Sequence, residues 1–237
     1  MNNFSPSDIS QTDGQKRIFP QFDPSGLKSI IVFCAAILLI VGLTFTVKAV
    51  FLIEAAALRL ALTSVIIVLY TAVAVFAMKL TGQAGKLVPS KNKLWLQLLY
   101  GAGIAAVLCF FIGVVPILCG TSLIGSHTEP SALIAWYAVE DIIFVGFGEE
   151  LVFRGYIQNQ FEIWLKKYKV FAPLIAALLF GLWHLVNGSL IQVLFTALIG
   201  CVFGYAKYFL KHCTLLSVSV AHGLYDFSLV LLCCFML

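Results

Sequence analysis

Residues 146–155 read GFGEELVFRG and place Glu149, Glu150 and Arg154 within six positions of an otherwise apolar stretch. On a helix Glu150 and Arg154, four apart, share a face and come within reach of one another, whereas Glu149 is turned about 100° from its neighbour. One carboxylate can then be held by the arginine while the other stays available for chemistry. Further along, FGLWH sets Phe180 and His184 four apart, and HGLYD does the same for His222 and Asp226. A carboxylate facing a neutral histidine in a desolvated site is competent to activate water as a general base. A second histidine, with a carboxylate one turn away, can polarise a carbonyl and stabilise the oxyanion that forms. These are the parts that peptide-bond hydrolysis needs.

The elements that must position these residues are set by composition. Of 237 residues, 61% are hydrophobic and only 11% charged, with a mean hydropathy of +1.01; a soluble domain is about a quarter charged. The chain therefore reads as an integral membrane protein of the all-α class. Apolar runs long enough to cross ~30 Å of hydrocarbon lie at about 29–47, 60–78, 94–119, 131–157, 171–187, 189–206 and 213–237. Each is expected to be a helix, because backbone in lipid must satisfy its own hydrogen bonds. The first run follows a polar stretch and precedes no small-residue cleavage site, which argues against a signal peptide. Residues 1–26 are expected to form a polar cytoplasmic tail, 27–125 the N-terminal transmembrane helices and 126–237 the catalytic core.

Basic residues give the expected orientation. With the N-terminus inside, the inner segments hold Lys16, Arg17, Lys28, Lys79, Lys86, Lys91, Lys93, Lys166, Lys167, Lys169, Lys207 and Lys211, and the outer ones only Lys48 and Arg59. The net charge of +4 then reflects topology, and no basic face interleaved with aromatics points to nucleic acid. The basic 81–93 loop is expected to serve topology alone. The seven cysteines, Cys34, Cys109, Cys119, Cys201, Cys213, Cys233 and Cys234, lie in or beside apolar runs without a metal-type pair and read as small hydrophobic filler. The terminal CFML has the form of a prenylation box on Cys234, but the expected topology puts it on the wrong side.

Glu140, Asp141, Glu149, Glu150, Arg154, His184, His222 and Asp226 all fall in the last four runs. A charge at the bilayer centre costs roughly 2.5–3.5 kcal/mol even on insertion scales, so such groups face one another or a wet cavity. Counting the rise from the cytoplasmic helix ends puts Glu149 ~25 Å in, Arg154 ~18 Å, His184 ~20 Å, His222 ~13 Å and Asp226 ~19 Å, at depths where they can meet. The helix bearing the glutamates would then run far beyond bilayer length, with a break expected at Gly146 and Gly148. A span ending near 157, followed by an interfacial QNQFEIWLKKYK piece, is equally compatible with the sequence.

The motifs EELVFRG, FGLWH and HGLYD, in this order on successive apolar helices, resemble the EExxxR, FxxxH and HxxxN/D motifs of the CAAX-protease and bacteriocin-processing (CPBP or Abi) family. The likeness covers roughly residues 130–230. It implies an intramembrane endopeptidase in which Glu149 with His184 activates water, His222 with Asp226 forms the oxyanion site, and Glu150 with Arg154, beside Phe180, supports the first motif. Asp226 stands where the prenyl-protein processing enzymes typically carry Asn, so it is equally suited to orienting His222. No cofactor is expected; zinc is conceivable with two histidines and several carboxylates, but no HExxH is present and the family's glutamate mechanism is metal-free.

The expected partners are a hydrophobic or lipidated peptide, cleaved in the cytoplasmic leaflet, and the bilayer itself. Size and the lack of an organelle-targeting segment point to a multi-pass protein of a bacterial plasma membrane. Glu140 and Asp141 are expected at the outer mouth of the site or at a helix end. Trp95, Trp136, Tyr137 and Trp164 read as interface anchors. His127 and His212 read as loop residues. Two rivals are a non-catalytic bacteriocin-immunity or regulatory role, and a small transporter with Glu140, Asp141, Glu149 and Asp226 as proton relay; no internal repeat supports the second.

Overall fold

The computed structural model describes residues 22–87, 93–120, 131–186 and 188–236; most of the polar tail, Lys91 and His127 lie outside them. The described residues are all-helical, without a strand. Helices α1 (Leu27–Val50), α2 (Ala56–Leu80) and α3 (Leu94–Leu118) are followed by α4 (residues 134–165), α5 (Ala172–Trp183), α6 (Leu190–Phe209) and α7 (Leu215–Met236). By length and composition five of these, α1, α2, α3, α6 and α7, can cross a bilayer, so the chain is a multi-pass membrane protein. The seven expected spans thus reduce to five on this test, for two reasons. Helix α4 carries Glu140, Asp141, Glu149, Glu150 and Arg154. Helix α5 has only 12 residues before it tightens into the 3₁₀ turn His184–Val186, ~18 Å of α-helical rise against ~30 Å of hydrocarbon.

Helix α4 neither breaks at its glycines nor ends near 157. Gly146 and Gly148 are helical, and their missing side chains allow close approach instead. A Cβ on Gly146 would lie 2.6 Å from the backbone nitrogen of Gly223 in α7, and one on Gly148 would lie 2.6 Å from Cγ2 of Ile67 in α2. What departs from the α pattern is a wider turn: Glu140–Val145 and Leu151–Ile157 are π-helical, on either side of Gly146–Glu150. Such turns are rare and frequent at functional sites.

The 158–160 QNQ triplet is buried, not laid along an interface. Gln160 Oε1 accepts from Gln83 Nε2 at 2.5 Å while its Nε2 donates to the Pro24 carbonyl at 2.7 Å. Asn159 Oδ1 accepts from Lys207 Nζ at 3.1 Å. These bonds tie the ends of α2, α4 and α6 together and satisfy amides that would be expensive to bury alone.

Two apolar clusters fill the bundle. Ile40 of α1, Tyr70 and Met78 of α2, Val152 and Tyr156 of α4 and Phe180 of α5 belong to the first. Leu108 of α3, Phe203 of α6, and Val218 and Ala221 of α7 belong to the second. Each draws on both sides of residue 125. Leu38, Leu52, Phe111 and Leu190 are among the many large apolar side chains left exposed on the outer surface, as a lipid-facing perimeter requires.

Candidate active site

Arg154 lies where the two clusters meet. Its guanidinium carbon stands 4.5 Å from the ring centroid of Phe180 and 5.4 Å from that of Phe203, a cation–π setting for a fully buried charge. Gly200 of α6 makes the room: a Cβ there would come within 2.9 Å of Arg154 Nη2. Arg154 Nη1 donates to Glu150 Oε1 at 2.6 Å, and both side chains are fully buried. The i, i+4 spacing read from the sequence therefore forms the pair it implied.

Glu150 Oε1 also accepts from Nδ1 of His222, at 2.9 Å. A carboxylate oxygen has lone pairs for both, and the result is a chain from Arg154 through Glu150 to the histidine of α7. At its other nitrogen, Nε2, His222 faces Asp226 Oδ2 at 3.1 Å and Glu149 Oε2 at 3.9 Å. The imidazole is thus held between carboxylates, with Phe180 edge-on at 5.6 Å and Phe203 at 5.5 Å. A ring so fixed is oriented for hydrogen bonding through Nε2.

His184 sits where α5 gives way to its 3₁₀ turn. Its Nδ1 lies 2.9 Å from the Phe180 carbonyl oxygen, which can only accept, so Nδ1 carries the proton and Nε2 of the neutral ring is an acceptor. Phe180 also packs edge-on against the imidazole, with centroids 4.7 Å apart. All three i, i+4 pairs expected from the sequence are therefore in contact.

Glu149, His184, His222 and Asp226 line one cavity of about 510 Å³. Glu149 keeps 13% of its side-chain surface exposed and Asp226 keeps 29%, whereas Glu150 keeps none, so the two neighbouring glutamates are divided between site and scaffold. Such a cavity, with a carboxylate and an acceptor histidine on one side and a held histidine on the other, can take an extended peptide and position water against it. Among the described residues, no three or more His, Cys, Asp or Glu side chains group as a metal would require.

Residues 131–228 match the family model described as type II CAAX prenyl endopeptidase Rce1-like. This segment is similar to the CAAX-protease family. No curated protein and no solved structure matches the chain. The three motifs all lie inside the matched CAAX-protease segment, and α1, α2 and α3 lie outside it.

Sequence reasoning missed part of the site. Ser189, which caps α6, Gln192 and Thr196 of α6 and Tyr225 of α7 also line the cavity; the spacing of the first three, roughly one helix face, was the available signal. The link from Glu150 to His222 spans 72 positions and left no local trace. Glu140 and Asp141 line a different cavity, with Arg59 and Tyr137. His212, just before α7, lines none of these cavities.

Proposed function

We propose that the chain is an intramembrane endopeptidase of the CAAX-protease type, acting on a hydrophobic or lipidated peptide. Glu149 takes a proton from water, with His184 Nε2 accepting the second hydrogen bond that fixes the water's position. The water oxygen adds to the scissile carbonyl carbon, and His222, held by Glu150 and Asp226, stabilises the oxyanion. Collapse breaks the C–N bond as the proton held by Glu149 passes to the leaving amine, and the products are a carboxylic acid, which keeps the water's second proton, and an amine. The water is activated without a metal. The N-terminus faces the cytoplasm of a bacterial plasma membrane.

The observation that carries this reading is the convergence of Glu149, His184, His222 and Asp226, from three helices, on one cavity. No observation here favours the non-catalytic immunity role. The test is cleavage of quenched fluorescent peptides, prenylated CAAX-type peptides included, by detergent-purified wild type and Glu149→Gln, with and without a zinc chelator. The expected result is cleavage by wild type alone, unchanged by chelator. Equal cleavage by Glu149→Gln would overturn the role of Glu149, and loss of activity on chelation would overturn the metal-free mechanism.

A further inference from the structure

Glu149 and His184 border two cavities, not one. Besides the 510 Å³ space, a second of about 240 Å³ reaches them, walled by Thr44 of α1, by Phe51 just after it and by Thr63 and Tyr70 of α2. The two cavities share Val145, Glu149, His184 and Gln192. A third, of about 250 Å³, shares Phe51, Thr63 and Val145 with the second and carries Arg59, Glu140 and Asp141. This succession runs from the α1–α2 connection toward Glu149, between α1 and α2, which lie outside the family segment, and α4, which lies inside it.

Its polar groups are of the kind that hold water. The Tyr70 hydroxyl, Glu149 Oε2 and Asp141 Oδ2 are buried and make no hydrogen bond to protein among the described residues. Buried polar atoms left without partners lose about 1–3 kcal/mol each, and a cavity that borders such atoms and is far larger than the ~30 Å³ of one water relieves that loss by hydration. The 510 Å³ cavity is the largest of the three and adds Ile112, Ile191, Phe195, Ile199 and Leu229 to its polar groups, so it has both the room and the apolar walls for a substrate's side chains.

Hydrolysis consumes one water per bond, and a peptide filling the larger cavity would seal that approach. We propose that the α1–α2 cavities are an aqueous passage that supplies water to Glu149 from behind the substrate. Arg59, Glu140 and Asp141 form its outer mouth and Thr63 its narrow part, while Tyr70 stands at the inner end. The supply role rests on the endopeptidase reading above. The hydration does not.

Hydroxyl-radical footprinting of the wild-type protein in detergent, read by mass spectrometry, tests the hydration without any activity. The expected result is oxidation of Tyr70 above background, with Met78 and Phe153, which share its apolar cluster, at background; Tyr70 at the level of Met78 would overturn the passage. The kinetic arm uses Thr63→Phe, with Thr44→Phe as a second variant should the first fail to fold. Both are expected to lower Tyr70 oxidation and to reduce kcat at least tenfold while KM stays within twofold. Reduced oxidation with unchanged kcat would overturn the supply role. Oxidised Tyr70 in a protein that cleaves no peptide would remove the endopeptidase reading, and the supply role with it, and leave the hydrated passage standing.

Discussion

Glu149 and Glu150 are adjacent in sequence and opposite in circumstance, and substitutions should separate them. Glu149 keeps part of its surface in the cavity and makes no hydrogen bond to protein through Oε2. Glu149→Gln should leave the melting temperature nearly unchanged and lower the cleavage rate by ~10²–10⁴, the usual contribution of a general base. Glu150 holds both Arg154 and His222. Glu150→Ala strands a buried arginine and should destabilise the fold by about 3–5 kcal/mol, read as a lowered melting temperature in detergent. Arg154→Lys should also fail to restore the wild type, because an ammonium cannot reproduce a planar guanidinium between Phe180 and Phe203.

At the scale of elements, α4 holds the site because three helices approach it at glycine. At Gly146 an added Cβ meets backbone of Gly223 and Ser219 at 2.6–2.7 Å, which cannot move without shifting α7. At Gly148 it meets Cγ2 of Ile67 and Oγ1 of Thr71 at 2.6 and 2.8 Å, side-chain rather than backbone atoms, which yield only by a costly shift of a β-branched side chain. Gly146→Ala should therefore be the more damaging of the two, separating α4 from α7 and with it Glu150 from His222; thermal melts and cleavage rates of both variants check this. The π-helical stretches on either side show why the glycines need not break the helix. The extra residue in each π turn is taken up by a wider turn without interrupting the helix.

The whole molecule is larger than the family segment, and its parts depend on one another. Leu151, Val152, Phe153, Tyr156 and Ile157 of α4 share a core with α1 and α2, although only α4 lies within the segment matched. A protein lacking residues 1–80 retains all three motifs but exposes that face, and should aggregate on size-exclusion chromatography. Orientation is tested at the basic end, where α2, α4 and α6 finish. If the excess of Lys and Arg there marks the cytoplasm, a cysteine at Lys211 should react with an impermeant thiol reagent in inverted vesicles and resist it in right-side-out ones.

The sequence by itself determined the class, the polar residues and their local pairing. Composition excludes a soluble fold, and Glu150–Arg154, Phe180–His184 and His222–Asp226 are one turn apart, so helix geometry alone brings each pair together. It did not determine what the glutamate helix does beyond Gly146, because a π turn has no signature distinct from that of an α-helix. Nor could it show that Glu150 reaches His222 or that α6 lines the cavity, since both depend on which helix faces pack. Gly146 against Gly223 and Gly200 against Arg154 are close approaches between distant parts of the chain. Those packing choices, made by shape rather than by local periodicity, are what place Glu149 between two cavities.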